Sequence, residues 1–174
     1  VNMYCTFGIF HKAEELLSKF RDQNTIVCLN ALISGYEIHG HHKKAMMCFK
    51  KILFDSIVPD KATFTSGLKA CGSLGCLIEG QRIHSHVVLR GLENDLLAGS
   101  TLVVMYMKCG SPDEARAIFG KLSVRNVVSW TALITGHAQL LEEREHVFHS
   151  FESMIGEGVQ PDLVAFLSLL SVCN

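Results

Sequence analysis

The sequence has little of what interrupts or staples a chain. Three prolines in 174 residues leave few helix breaks and exclude a collagen-like or proline-rich disordered polypeptide. No C-x-x-C pair occurs, and Cys71 and Cys76 have four residues between them, so the spacings of zinc sites are missing. Neither a metal nor any other cofactor is expected. The seven cysteines are odd in number and fall at helical apolar positions, which suits buried thiols better than a disulfide framework.

Charge of one sign is also lacking. Lys and Arg number 16 against 17 Asp and Glu, a formal net charge of -1, so bulk electrostatics gives no pull toward nucleic acid. Binding of that kind would have to come from a local groove. Apolar runs such as 102–107 are far shorter than the roughly 20 residues that span a bilayer, so no membrane segment is expected. The zinc deaminase signature H-x-E with P-C-x-x-C is absent, as are a phosphate loop, a nucleophile elbow and a metalloprotease helix. Neither catalysis nor a small-molecule substrate is expected within these residues. The chain opens at Val1 and closes at Asn174 inside an apolar helical pattern, as expected of a piece of a longer protein.

What is present is recurrence. Pro59-Asp60 returns as Pro161-Asp162, Met3-Tyr4 as Met105-Tyr106, Gly8 as Gly110, Ala13 as Ala115, Asn24 as Asn126 and Cys71 as Cys173, always 102 residues later. That block divides into 61–95, 96–126 and 127–162, and a period in the thirties marks a stacked array of helical repeats.

The stretch 26–60 sets the pattern. Leu29, Leu32, Ile33 and Tyr36 form one apolar stripe at three-and-four spacing, and Gly40 ends that helix. A second helix buries Ala45, Met46, Phe49, Ile52 and Leu53 and exposes Lys43, Lys44, Lys50 and Lys51, until Pro59 turns the chain. The next stretch repeats this with Phe64, Leu68 and Cys71, then Leu77, Ile83, Val87 and Val88, punctuated at Gly75 and Gly91. Leu102, Val103 and Tyr106, then Ala115, Ile118 and Phe119, flank a break at Cys109-Gly110. Trp130, Leu133 and Ile134 open the last full stretch. Residues 1–24 read as a half repeat whose second helix turns Ala13, Leu16, Leu17 and Phe20 to one face.

These residues resemble the plant pentatricopeptide repeat proteins, in the subclass that alternates 35-residue (P), long (L) and 31-residue short (S) repeats. N-A-L-I-S-G-Y with V-P-D in 26–60 is similar to a P repeat. L-K-A-C-G-S-L-G with G-Q-R-I-H-S-H-V in 61–95 is similar to an L repeat, and L-V-V-M-Y-M-K-C-G with D-E-A-R-A-I-F in 96–126 to an S repeat. Residues 127–162 resemble a second P repeat, one residue longer and with Val147 where the family has a small Ala. Residues 1–25 and 163–174 resemble a partial S and a partial L repeat of the same array.

The resemblance implies an all-α, right-handed superhelical solenoid of helix-turn-helix repeats, with single-stranded organellar RNA along its concave groove at one base per repeat. It implies that each base is selected by the fifth residue of a repeat together with its last. The pairs are Asn30 with Asp60 for a pyrimidine, uracil preferred, Ser100 with Asn126 for adenine, Thr131 with Asp162 for guanine, and Thr65 with Asp95 in the L repeat. Val27, Leu97 and Val128 would sandwich neighbouring bases, and Lys108 would meet phosphate. The family further implies a mitochondrial or chloroplast location and a place as the targeting part of a C-to-U editing factor, among other editing-complex proteins.

Plainer readings stand beside these. Asn, Ser, Thr and Asp at helix starts are favoured simply as caps, and both roles are compatible. His39, His41, His42, His84 and His86 fit solvated faces and turns better than a ligand set. A protein-binding helical scaffold, as in tetratricopeptide arrays, is the alternative to RNA recognition.

Overall fold

A computed structural model describes residues 1–19, 25–55, 57–140 and 144–173. Phe20, Asn24 and the junction beside Asn24 lie outside the described residues. Those described form eleven α-helices and no strand, in two compact bodies, Val1–Ile83 and His84–Asn174.

The first body holds α1 (Asn2–Thr6), α2 (Phe10–Lys19), α3 (Thr25–Ile38), α4 (His42–Phe54), α5 (Lys61–Leu74) and the start of α6 (Leu77–Leu89). Here α3 packs on α1, α2, α4 and α5. Its stripe of Leu29, Leu32, Ile33 and Tyr36 meets Ala45, Phe49 and Ile52 of α4 in a core in which each is at most 1% exposed. Phe10 stacks on the Tyr36 ring at 4.4 Å. The Tyr36 hydroxyl donates to Glu14, and burial together with that carboxylate pushes its pKa far up.

The second body holds the end of α6, then α7 (Leu96–Lys108), α8 (Pro112–Lys121), α9 (Val127–Gln139), α10 (Arg144–Gly156) and α11 (Leu163–Ser171). Helix α7 packs on α8 and α9, and α9 on α10 and α11. Pro112 sits at the first turn of α8, where its missing N–H costs no bond. Val147 is fully buried in α10.

One turn is used throughout. At Gly40 the backbone takes φ +74°, open to glycine without a Cβ clash. His41 N–H then donates to Tyr36 O at 2.7 Å and Gly40 N–H to Glu37 O at 3.1 Å, which satisfies carbonyls the helix end would orphan. The same pair of bonds closes the turns at Gly8, Gly75, Gly91, Gly110 and Gly158. Glycine also sets helix spacing. A Cβ at Gly136 of α9 would lie 2.6 Å from Met107 Sδ of α7, so any side chain there would have to displace the methionine that fills the space between the two helices.

Two residues expected in the core are not in it. Leu53 is 36% and Val88 45% exposed. Both lie in the last turn of a second helix.

Candidate nucleic-acid interface

The polar residues singled out by sequence fall at the starts of α3, α5, α7, α9 and α11. Asp60, Asp95, Asn126 and Asp162 are the N-caps of the last four. A cap side chain accepts the otherwise unpaired N–H groups of the first helical turn. Thr63 N–H donates to Asp60 at 2.8 Å, Ala165 N–H to Asp162 at 2.8 Å, and Ser129 N–H to Asn126 at 2.9 Å. Asp95 receives Leu97 and Ala98 N–H, each at 3.1 Å. The capping reading therefore holds for all four.

Two of the four are tied to a side chain of the preceding first helix, two helices back. Asn30, in α3, donates its amide N–H to both Asp60 oxygens, at 3.0 and 3.2 Å. Thr131, in α9, donates its hydroxyl to Asp162 at 3.1 Å. Burial alone would raise the Asp60 carboxyl. The hydrogen bonds from the Thr63 backbone and hydroxyl and from Asn30 outweigh it and hold the group below the usual carboxylate range.

The other two pairs differ. Ser100 is 2% exposed and turns its hydroxyl back to the Leu96 and Leu97 carbonyls, a common resort of a short side chain inside a helix. Asn126 is occupied in a capping box with Ser129, and no hydrogen bond joins it to Ser100. Thr65 behaves like Ser100, donating to Ala62 O at 3.0 Å.

The three aliphatic residues stand open: Val27 is 63%, Leu97 49% and Val128 51% exposed. In the second body Val128, Thr131 and Asp162 line a concavity of about 310 Å³, with Lys108 and Gln139 among its other walls. Four residues named from sequence thus border one groove. Its polar end is rich in acceptors, because the Thr131 hydroxyl has spent its proton on Asp162 and a carboxylate only accepts. That suits a base edge with two donors, as guanine has. Asn30 differs in having a second N–H and a further carbonyl lone pair, which suits an edge of one donor and one acceptor.

Lys108 is exposed at the C-terminal end of α7, where a cation is also favoured by the helix dipole. His39 is exposed at the turn that ends α3, whereas His84 is half-buried. His39 bonds Gly35 O at 3.0 Å, and His84 bonds the Tyr106 hydroxyl at 2.9 Å. Burial lowers the His84 pKa. No group of three or more His, Cys, Asp or Glu able to hold a metal occurs among the described residues. No helix among them is long and apolar enough to cross a membrane.

Comparison with known proteins settles the lineage. Profiles described as "PPR repeat family", "PPR repeat" and "Pentatricopeptide repeat domain" match residues 24–73, 100–127 and 124–174, together well over half of the chain. The chain belongs to the pentatricopeptide repeat family. It is 39% identical over 144 residues to a mitochondrial pentatricopeptide repeat-containing protein of Arabidopsis thaliana, covering 83% of this chain and 20% of that protein. A chloroplastic member from the same plant is 35% identical over 175 residues, covering 98% and 32%. The chain thus spans about a fifth to a third of the length of these relatives. The crystal structure of PPR10 in complex with an 18-nt psaJ RNA element matches with a TM-score of 0.80 at 19% identity, over 98% of this chain and 26% of that one. The fold is therefore that of a pentatricopeptide repeat array.

Sequence reasoning missed some neighbours of these residues. Thr63 touches both Asn30 and Asp60; the D-x-x-T spacing signals a cap box, but its reach to Asn30 exists only in three dimensions. Val164, second residue of α11 and 50% exposed, holds the place that Leu97 and Val128 hold in α7 and α9. Extending the register by one repeat would have found it.

Proposed function

We propose that this chain binds single-stranded RNA in a sequence-specific way, one base per repeat, with repeats bounded at 26–60, 61–95, 96–126 and 127–162 between partial repeats at 1–25 and 163–174. The carrying observation is that Asn30–Asp60 and Thr131–Asp162 share one build. A polar side chain of a first helix is hydrogen-bonded to the cap of the next first helix, with an exposed valine three residues before it. Asn30 and Asp60 read a pyrimidine, uracil preferred; Thr131 and Asp162 read guanine; Ser100 and Asn126 read adenine. Thr65 and Asp95 are the corresponding pair of the L repeat. Val27, Leu97 and Val128 stack on bases, and Lys108 neutralises phosphate.

The alternation of repeat lengths supports a P, L, S array. That points to a mitochondrial or chloroplast protein whose role is to bring a C-to-U editing activity, with other editing-complex proteins, to its transcript. The fold shared with an RNA-bound protein supports the RNA partner. Good base contacts discriminate by about 1–3 kcal/mol each, and stacking adds about 1–3 per base, so a few repeats bind weakly against the cost of association.

A scaffold for proteins is the competing reading, favoured by apolar second-helix residues such as Met47 and Phe54, 70% and 87% exposed. The deciding experiment converts Asn30→Thr in the full-length protein, giving that repeat the Thr-Asp pair found at Thr131. Selection from a random RNA pool should show uracil replaced by guanine at one nucleotide. Binding that is blind to sequence, or none, favours the scaffold.

A further inference from the structure

Resting on that reading, we propose that Thr63 is the positioning residue that fixes which way round the Asn30 amide faces, and so sets the preference for uracil over cytosine. Thr63 is fully buried at the third position of α5. Its hydroxyl oxygen lies 2.8 Å from Asn30 Oδ1 and 2.8 Å from Asp60 Oδ1, and it accepts the Asp60 N–H at 3.3 Å. Asn30 Oδ1 carries no proton, so so short a contact between two oxygens requires the threonine proton between them, shared with the carboxylate. On the other side of the amide the Asp60 carboxylate takes the N–H. The amide is clamped at both ends. Turned over, it would set its oxygen against a carboxylate, two acceptors at hydrogen-bond distance with nothing to share.

Orientation matters because the two pyrimidines reverse the order of their edge groups. Uracil sets an acceptor at position 4 beside a donor at position 3, and cytosine a donor beside an acceptor. A fixed amide meets one order, and an amide that has lost its Thr63 anchor and is held by Asp60 alone meets the other order more often. The hydroxyl is not needed for the cap itself. Ala98 and Ala165 stand at the same helix position behind Asp95 and Asp162. At Ser129 a hydroxyl is present, but no hydrogen bond links it to Ser100, so there it serves the cap alone.

The test uses the full-length protein and a random RNA pool, sequencing what is retained. Asn30→Ala marks the nucleotide that faces this repeat, as the one position whose preference disappears. At that nucleotide Thr63→Ala, a residue the fold already accepts at this place, should lower the uracil-to-cytosine ratio about fivefold and leave other positions unchanged, and Thr63→Ser should restore it. If Asn30→Ala alters no position, base reading by this repeat fails and the inference goes with it. If a position is marked but Thr63→Ala leaves its ratio unchanged, weakens all positions alike, or is not rescued by serine, Thr63 only supports the helix start and the inference alone is overturned.

Discussion

Thr135 of α9 and Ser168 of α11 share a hydrogen bond of 3.0 Å, one helical turn beyond the contact of Thr131 with Asp162. Ser168 gives its own proton to Val164 O at 2.9 Å, so Thr135 is the donor. A second polar tie thus holds these helices together beneath the first.

Thr135→Val should cost about 1 kcal/mol of stability, and Ser168→Ala a similar amount, with the double variant losing less than the two combined. Denaturant unfolding of the four proteins measures the coupling. Base preference at the Thr131 nucleotide should not move.

Asp60 carries a pH dependence of definite sign. Its folded pKa lies below the unfolded one, so the unfolded chain binds the proton first as pH falls. The stabilisation is complete above the unfolded value of about 3.9 and is lost as pH drops through the folded value. Midpoints of denaturant unfolding taken from neutral pH downward should show an extra decline below about pH 4 in the wild type that is missing in Asp60→Asn.

Gly136 admits no side chain without displacing Met107. Gly136→Ala should destabilise by about 1–3 kcal/mol, as overpacking does, and Met107→Ala in the same protein should recover part of the loss by making room. Thermal melts of both variants would show this; equal losses with and without Met107 would place the strain elsewhere.

Lys108→Ala should weaken RNA binding by a similar factor for every sequence and reduce the slope of log affinity against log salt by about one. Titrations at several salt concentrations check this. A change in base preference instead would make the side chain a base reader.

The helix plan was legible because its punctuation is local. A glycine at Gly40 or Gly110 declares a left-handed turn by its own chemistry, and the apolar spacing of Leu29, Leu32 and Ile33 declares the buried face. Leu53 and Val88 were misjudged because periodicity gives the direction of a side chain but not how much of it a neighbour covers. The caps Asp60 and Asp162 follow from proline followed by aspartate. That Ser100 withdraws to its own backbone while Thr131 reaches forward to Asp162 is invisible in sequence, since both are hydroxyls at the fifth residue of a helix. It is decided by contacts between helices far apart in sequence. Thr63 was hidden for the same reason.

Each tie from Asn30 to Asp60 and from Thr131 to Asp162 straddles the joint between consecutive hairpins. Shuffling hairpins as blocks cut at the start of a first helix would carry the cap and the preceding side chain away together and leave the following helix to a stranger's cap. Splices placed beyond the fifth or sixth residue of a first helix would split the pair instead. Anyone rebuilding such arrays should therefore choose seams just behind the cap and, because Thr63 lies past such a seam, substitute its counterpart into the helix that follows.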